Sequence, residues 1–223
     1  IVHPYPAPAY LNDPALICPD FTDKTGPAHA SVPGMTNAPL YVVGDSHVVP
    51  LAWSTVTIEG KPRVLRPLLT TGMKHYHLRA ESDFYPKAQF ANNLRSIPEG
   101  SDIMFVAGEI DCREGLLVAL EKDQYSTLQE GMKKTIAHFA AVLPPLYKQR
   151  KMGNIYVHPV LPMLSETRTL VVQYNRYFEE SMAQVSKRQQ AEKWGKNGGK
   201  GSSLKWLSFF PELFQAGANL EDG

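Results

Sequence analysis

Apolar runs and polar breaks alternate along most of this chain, and their spacing predicts the elements. Leu40 to Val43 is β-branched and aromatic, and too short for a helix, which predicts a buried strand. It runs into Gly44-Asp45-Ser46-His47, an acid, a hydroxyl and an imidazole side by side. Gly44 permits a turn that a Cβ would resist. Asp45 or Ser46 can then cap a helix over His47 to Trp53, with Pro50 fitting only its first turn. Further strands are predicted over Arg63 to Leu69, Asp102 to Ala107, Asn154 to Val160 and Leu204 to Phe210. The unbroken apolar run in DIMFVA suits a parallel strand buried on both faces. Helical spacing through Leu128, Met132, Ile136, Phe139 and Val142 predicts a helix from Tyr125 to Leu143, stopped by Pro144-Pro145. A long helix is predicted from Thr167 to Gln190, with Leu170, Tyr174, Tyr177, Phe178 and Met182 on its apolar side. Strands separated by helices imply an α/β protein with a doubly wound parallel sheet of five strands. Leu40–Val43, Asp102–Ala107 and Asn154–Val157 should lie side by side near its middle.

The flanks read differently. Residues 1–39 are dense in proline with little periodicity, which predicts an extended arm on the body or on a protein partner, or else a disordered leader. Residues 40–223 form the α/β domain. Residues 193–203 make a basic, glycine-rich loop without P-loop spacing, and Trp194 is its one candidate core residue. The 223 residues are 43% hydrophobic and 20% charged, the balance of an ordinary soluble globular protein. A formal net charge of +1 sets up no field that would favour nucleic acid or an anionic membrane. No apolar stretch approaches the roughly 18 residues of a transmembrane segment. Cys18 and Cys112 make no disulfide framework, and a bridge between them stays open. Ile1 is not an initiator, so a processed or truncated N-terminus is expected and the compartment stays open.

Ligands of doubly wound sheets sit beyond the carboxyl ends of the strands. There the chain carries Asp45-Ser46-His47, Thr70-Thr71-Gly72, GEIDCR at 108–113, and His158 to Pro162. Ser46 reads as a nucleophile or as a helix cap. His47 follows it directly, so a packing or hydrogen-bonding role suits its ring. His158 could approach Ser46 or serve as a structural histidine before Pro159. Glu109, Asp111 and Arg113 should form an ion-paired loop within reach of the Ser46 turn, with Arg113 paired and Asp111 ionised. His75 and His77 lack a third ligand nearby and read as surface residues. Cys112 has no mark of a stabilised thiolate except Arg113.

GDSH after the first strand, Gly72 after the second and GEIDCR after the third resemble blocks of the SGNH/GDSL hydrolases. Tyr174-Asn175 fits the same pattern, and the resemblance runs from Leu40 onward over roughly four-fifths of the chain. It implies a flavodoxin-like, three-layer α/β/α fold, a nucleophilic Ser46, and an oxyanion hole from the Ser46 and Gly72 backbone N–H groups. The activity implied is a serine ester hydrolase or acyl transferase acting on a small ester without a cofactor. Two positions depart from the pattern. Ile110 stands where the family has an oxyanion asparagine, a donor worth about 2.7–4 kcal/mol of transition-state stabilisation. Arg113 could substitute for it or pair with Asp111. The family's Asp-x-x-His block would begin at Asp222, with its histidine beyond Gly223, since none follows His158 in the sequence. A catalytically silent accessory subunit of the same fold is the second reading. A metal-dependent phosphoesterase is the third, with Asp45, His47, Glu109 and Asp111 around a metal pair, although further ligand blocks are missing.

Overall fold

The computed structural model describes residues 39–162, 164–194 and 202–208. The proline-rich arm, Cys18, most of the glycine-rich loop, the end of the fifth expected strand and Asp222 lie outside the described residues. The sheet has six strands: β1 Leu40–Gly44, β2 Thr55–Ile58, β3 Lys61–Leu69, β4 Ile103–Val106, β5 Ile155–Val157 and β6 Leu204–Trp206. Their order is β2-β3-β1-β4-β5-β6, so β1, β4 and β5 are neighbours at the centre. The pairs β1–β3, β1–β4, β4–β5 and β5–β6 are parallel, and β2 lies antiparallel on β3. The α/β class therefore holds, but the sheet is mixed rather than five parallel strands.

The extra strand comes from a tight hairpin. Glu59 and Gly60 both take positive φ, 52° and 75°, between paired Ile58 and Lys61. Two left-handed residues in a two-residue loop match the twist of a hairpin. The helix expected over His47 to Trp53 does not form. Only a single 3₁₀ turn forms, Ser46–Val48, capped by the Asp45 side chain. Pro50 has no N–H to continue it, Trp53 turns left-handed with φ 62°, and the Trp53 N–H donates to Leu65 O instead.

Among the described residues five helices pack around the sheet: α1 Tyr85–Ser96, α2 Leu116–Glu121, α3 Leu128–Ala140, α4 Leu143–Lys148 and α5 Arg168–Glu192. Thr127 Oγ1 accepts from Glu130 N, and Glu130 reaches back to Ser126 N, so α3 starts at a side-chain cap. Pro144-Pro145 does more than end α3. The prolines occupy the first turn of α4, where the missing N–H costs nothing. One face of the sheet contributes Tyr41, Val43, Phe105 and Val157 to a core shared with Phe139, Tyr174 and Phe178. The other contributes Leu40, Val42, Leu65, Met104 and Tyr156. This alternation is the two-residue period of a strand buried on both faces. Trp194 joins the first core at 4% exposure. No helix among the described residues is long and apolar enough to cross a membrane.

Candidate functional site

Parallel pairing brings the carboxyl ends of β1, β4 and β5 to one edge, and the polar segments after them meet there. Gly44 is the last residue of β1, and its role is close approach rather than turning. A Cβ on Gly44 would lie 2.6 Å from the Val106 carbonyl carbon and closer still to its oxygen. The next residue's N–H donates to Val106 O at 3.2 Å, which ties Asp45 to β4.

Asp45 is fully buried. Its Oδ1 accepts from the His47 backbone N at 3.0 Å and faces the His47 ring Nδ1 at 2.7 Å. Ser46, between them, is exposed on the first residue of the 3₁₀ turn. Asp45, His47, Glu109 and His158 line one pocket, walled by Val106, Ala107 and Val160. Its volume is about 10 Å³, enough for a single water-sized group. Gly72, with φ 67°, follows β3 at the same edge, where Gly44 and Leu69 are register partners.

The GEIDCR segment divides. Glu109 is 6% exposed and enters the pocket. Arg113 Nη1 stands 3.6 Å from Glu109 Oε2, an ion pair too long for a hydrogen bond, and the arginine side chain is 45% exposed. Asp111 goes elsewhere. Its carboxylate accepts from His75 N at 2.7 Å and Tyr76 N at 3.2 Å, at the head of the 3₁₀ turn His75–Leu78. It does not line the pocket beside Ser46. Burial raises its pKa to about 7, against the pull of those two amide donors, so the expectation of a firmly ionised Asp111 is corrected. A π-helical turn over Asp111–Gly115 carries the chain from the pocket into α2. Ile110 and Cys112 are buried, and burial pushes the Cys112 thiol well above its usual pKa, so it carries no reactive thiolate.

His158 extends β5 by donating its backbone N–H to Phe105 O, and its Nδ1 meets Pro159 O at 2.6 Å. Burial lowers its pKa; the Pro159 carbonyl opposes that and the nearby His47 adds to it. Asn175 on α5 clamps Val160, two residues on, from both sides. Its Oδ1 accepts from Val160 N at 2.8 Å and its Nδ2 donates to Val160 O at 2.7 Å. A polar residue beside the apolar stripe of a long helix is the signal that marks this positioning role.

His75 is not a surface residue. It is fully buried against Phe139, Tyr174 and Phe178, with Nδ1 at 2.8 Å from Tyr174 Oη, and burial lowers its pKa to about 3. His77 is partly buried, and burial, with Lys74 and Arg79 nearby, lowers it to about 4. Among the described residues no group of three His, Cys, Asp or Glu side chains is placed to hold a metal. The four expected metal ligands do not share one pocket, since Asp45, His47 and Glu109 line it and Asp111 turns to the His75 and Tyr76 amides.

Fold and site together define an α/β protein with a small pocket, apolar-walled and holding two acids and two imidazoles, at the carboxyl edge of its parallel strands. No family model, curated protein or solved structure matches the chain.

Proposed function

We propose that the chain is a flavodoxin-like, three-layer protein of the SGNH type, and a serine ester hydrolase or acyl transferase acting through Ser46. One observation carries this reading. An exposed hydroxyl sits between a buried acid and a pocket-lining imidazole, just past a central parallel strand, where such sheets hold their ligands. The parallel strand order β3-β1-β4-β5-β6 supports the fold half of it, with β1 at the point where the winding reverses. On this reading Ser46 Oγ attacks the ester carbonyl, the alcohol leaves, and the Ser46 and Gly72 backbone N–H groups receive the oxyanion. Ile110 supplies no side-chain donor, which costs about 10²–10³ in rate relative to a hole with one. The Asp45–His47 pair shapes the pocket, and no hydrogen bond joins the His47 ring to Ser46.

The second reading is a catalytically silent SGNH-type interaction subunit. Ile110 at the oxyanion position and a pocket with only about 10 Å³ of room favour it. Fluorophosphonate labelling of the full-length protein, with Ser46→Ala alongside, separates the two. Labelling removed by Ser46→Ala supports the hydrolase, and labelling that survives it excludes Ser46 as the nucleophile. Absence of labelling favours the interaction subunit.

A further inference from the structure

Two carboxylate oxygens beside Ser46 are buried and, among the described residues, accept no hydrogen bond: Asp45 Oδ2 and Glu109 Oε2. Both side chains line the pocket, Asp45 at 0% exposure and Glu109 at 6%. A buried acceptor without a donor is unfavourable, so a site that keeps two of them is suited to a ligand that brings donors. Arg113 does not meet the demand, because its Nη1 stays 3.6 Å away. With about 10 Å³ of room, the pocket seats a group the size of a water.

Donor count and charge choose among groups of that size. A hydroxyl carries one donor and a water two, and neither brings charge to the two acids. A primary ammonium carries three donors and places a positive charge against two carboxylates. A metal ion is disfavoured by the donor set, since no three ligating side chains converge among the described residues.

We infer that the pocket holds the protonated amine of an α-aminoacyl ester, the substrate class on which Ser46 acts. This rests on Ser46 being the nucleophile. The pocket wall includes the residues immediately before and after Ser46. In an α-amino ester a single carbon separates the ammonium from the scissile carbonyl, so both fit one short stretch of the site. The chemistry at the carbonyl is unaltered. Ser46 Oγ bonds the acyl carbon, the bond from that carbon to the alcohol oxygen breaks, and the serine proton leaves with the alcohol. The ammonium keeps its protons throughout.

The test compares alanine p-nitrophenyl ester with p-nitrophenyl propionate, which lacks only the amine, and titrates alaninamide against propionamide by NMR. The native protein should prefer the alanine ester at least tenfold in kcat/KM and bind alaninamide alone. Glu109→Gln should reduce that preference below threefold and weaken alaninamide binding by about tenfold. Equal rates on both esters without alaninamide binding would overturn the ammonium pocket and leave Ser46 standing. Alaninamide binding without hydrolysis of either ester would uphold the pocket and overturn Ser46 as nucleophile. Alaninamide binding unchanged in Glu109→Gln would put the amine elsewhere and overturn the inference. If Glu109→Gln does not fold, the native comparison decides alone.

Discussion

Gly44→Ala should unfold more of this protein's stability than any other single methyl added at the described glycines of the site. The new Cβ would lie 2.6 Å from the Val106 carbonyl carbon, closer to its oxygen, and 3.2 Å from Val48 Cγ1. The first two are backbone atoms of the neighbouring strand, which cannot rotate aside as a side chain does. Relief requires β1 and β4 to separate where Gly44 and Val106 are register partners, and it strains the Asp45 N–H bond to Val106 O. Overpacking costs about 1–3 kcal/mol, and a weakened buried hydrogen bond adds about 1–3 kcal/mol. A loss of about 2–6 kcal/mol is a large part of the roughly 5–15 kcal/mol that holds a domain folded. With a urea slope of about 2 kcal/mol/M, the midpoint should fall by about 2 M. Gly60→Ala is the control. Its φ of 75° is left-handed but nothing lies within 4 Å of the added methyl, so its cost should stay near the roughly 1–2 kcal/mol of backbone strain. Urea unfolding followed by circular dichroism measures both. A Gly44→Ala loss no greater than that of Gly60→Ala would refute the close-approach argument.

Asn175→Ala strands the Val160 N–H and C=O together and should cost about 2–4 kcal/mol, read by the same unfolding assay; a loss below about 1 kcal/mol would mean that water replaces the amide. Arg113→Ala should cost no more than about 0–1 kcal/mol, because its ion pair is long and its side chain 45% exposed; a larger loss would show a tighter pair in solution. Asp111 binds its proton more tightly folded than unfolded, because burial raises its pKa to about 7 from an ordinary 3.8. Its stabilisation is therefore complete below about pH 4 and lost as pH rises through 7. Wild type should lose stability relative to Asp111→Asn across that window, and a flat difference from pH 4 to 8 would refute the assignment. His75 runs the other way: its folded pKa of about 3 lies below 6.5, so its contribution is present above pH 6.5 and lost as pH falls toward 3. Thermal unfolding of a His75→Phe variant should lack that acid limb.

The strand runs were legible because burial on both faces leaves a mark that needs no partner to read. Leu40–Val43 and DIMFVA carry no polar residue inside the sheet, and that alone places them centrally. The polar loops at one edge follow from the same logic, since parallel strands must end together. TVTI alternates before Glu59-Gly60, a local mark of the hairpin that the expected five-strand sheet left out. The helix expected over His47 to Trp53 gives way because β3 accepts the Trp53 N–H at Leu65, a long-range partner that no local propensity contains. GEIDCR shows the limit most sharply. Its composition announces a charged loop near the pocket. Which carboxylate faces the pocket depends on the π-helical turn and on the amides of His75 and Tyr76, 36 and 35 residues away in the chain. His75 itself alternates with His77 like an exposed residue, yet the aromatic side chains of α3 and α5 close over it. Hydrophobic period reports how much of a residue is buried along its own element. Where a polar atom finds its partner is decided only when distant elements meet, because the free energy of a buried donor or acceptor depends on that partner.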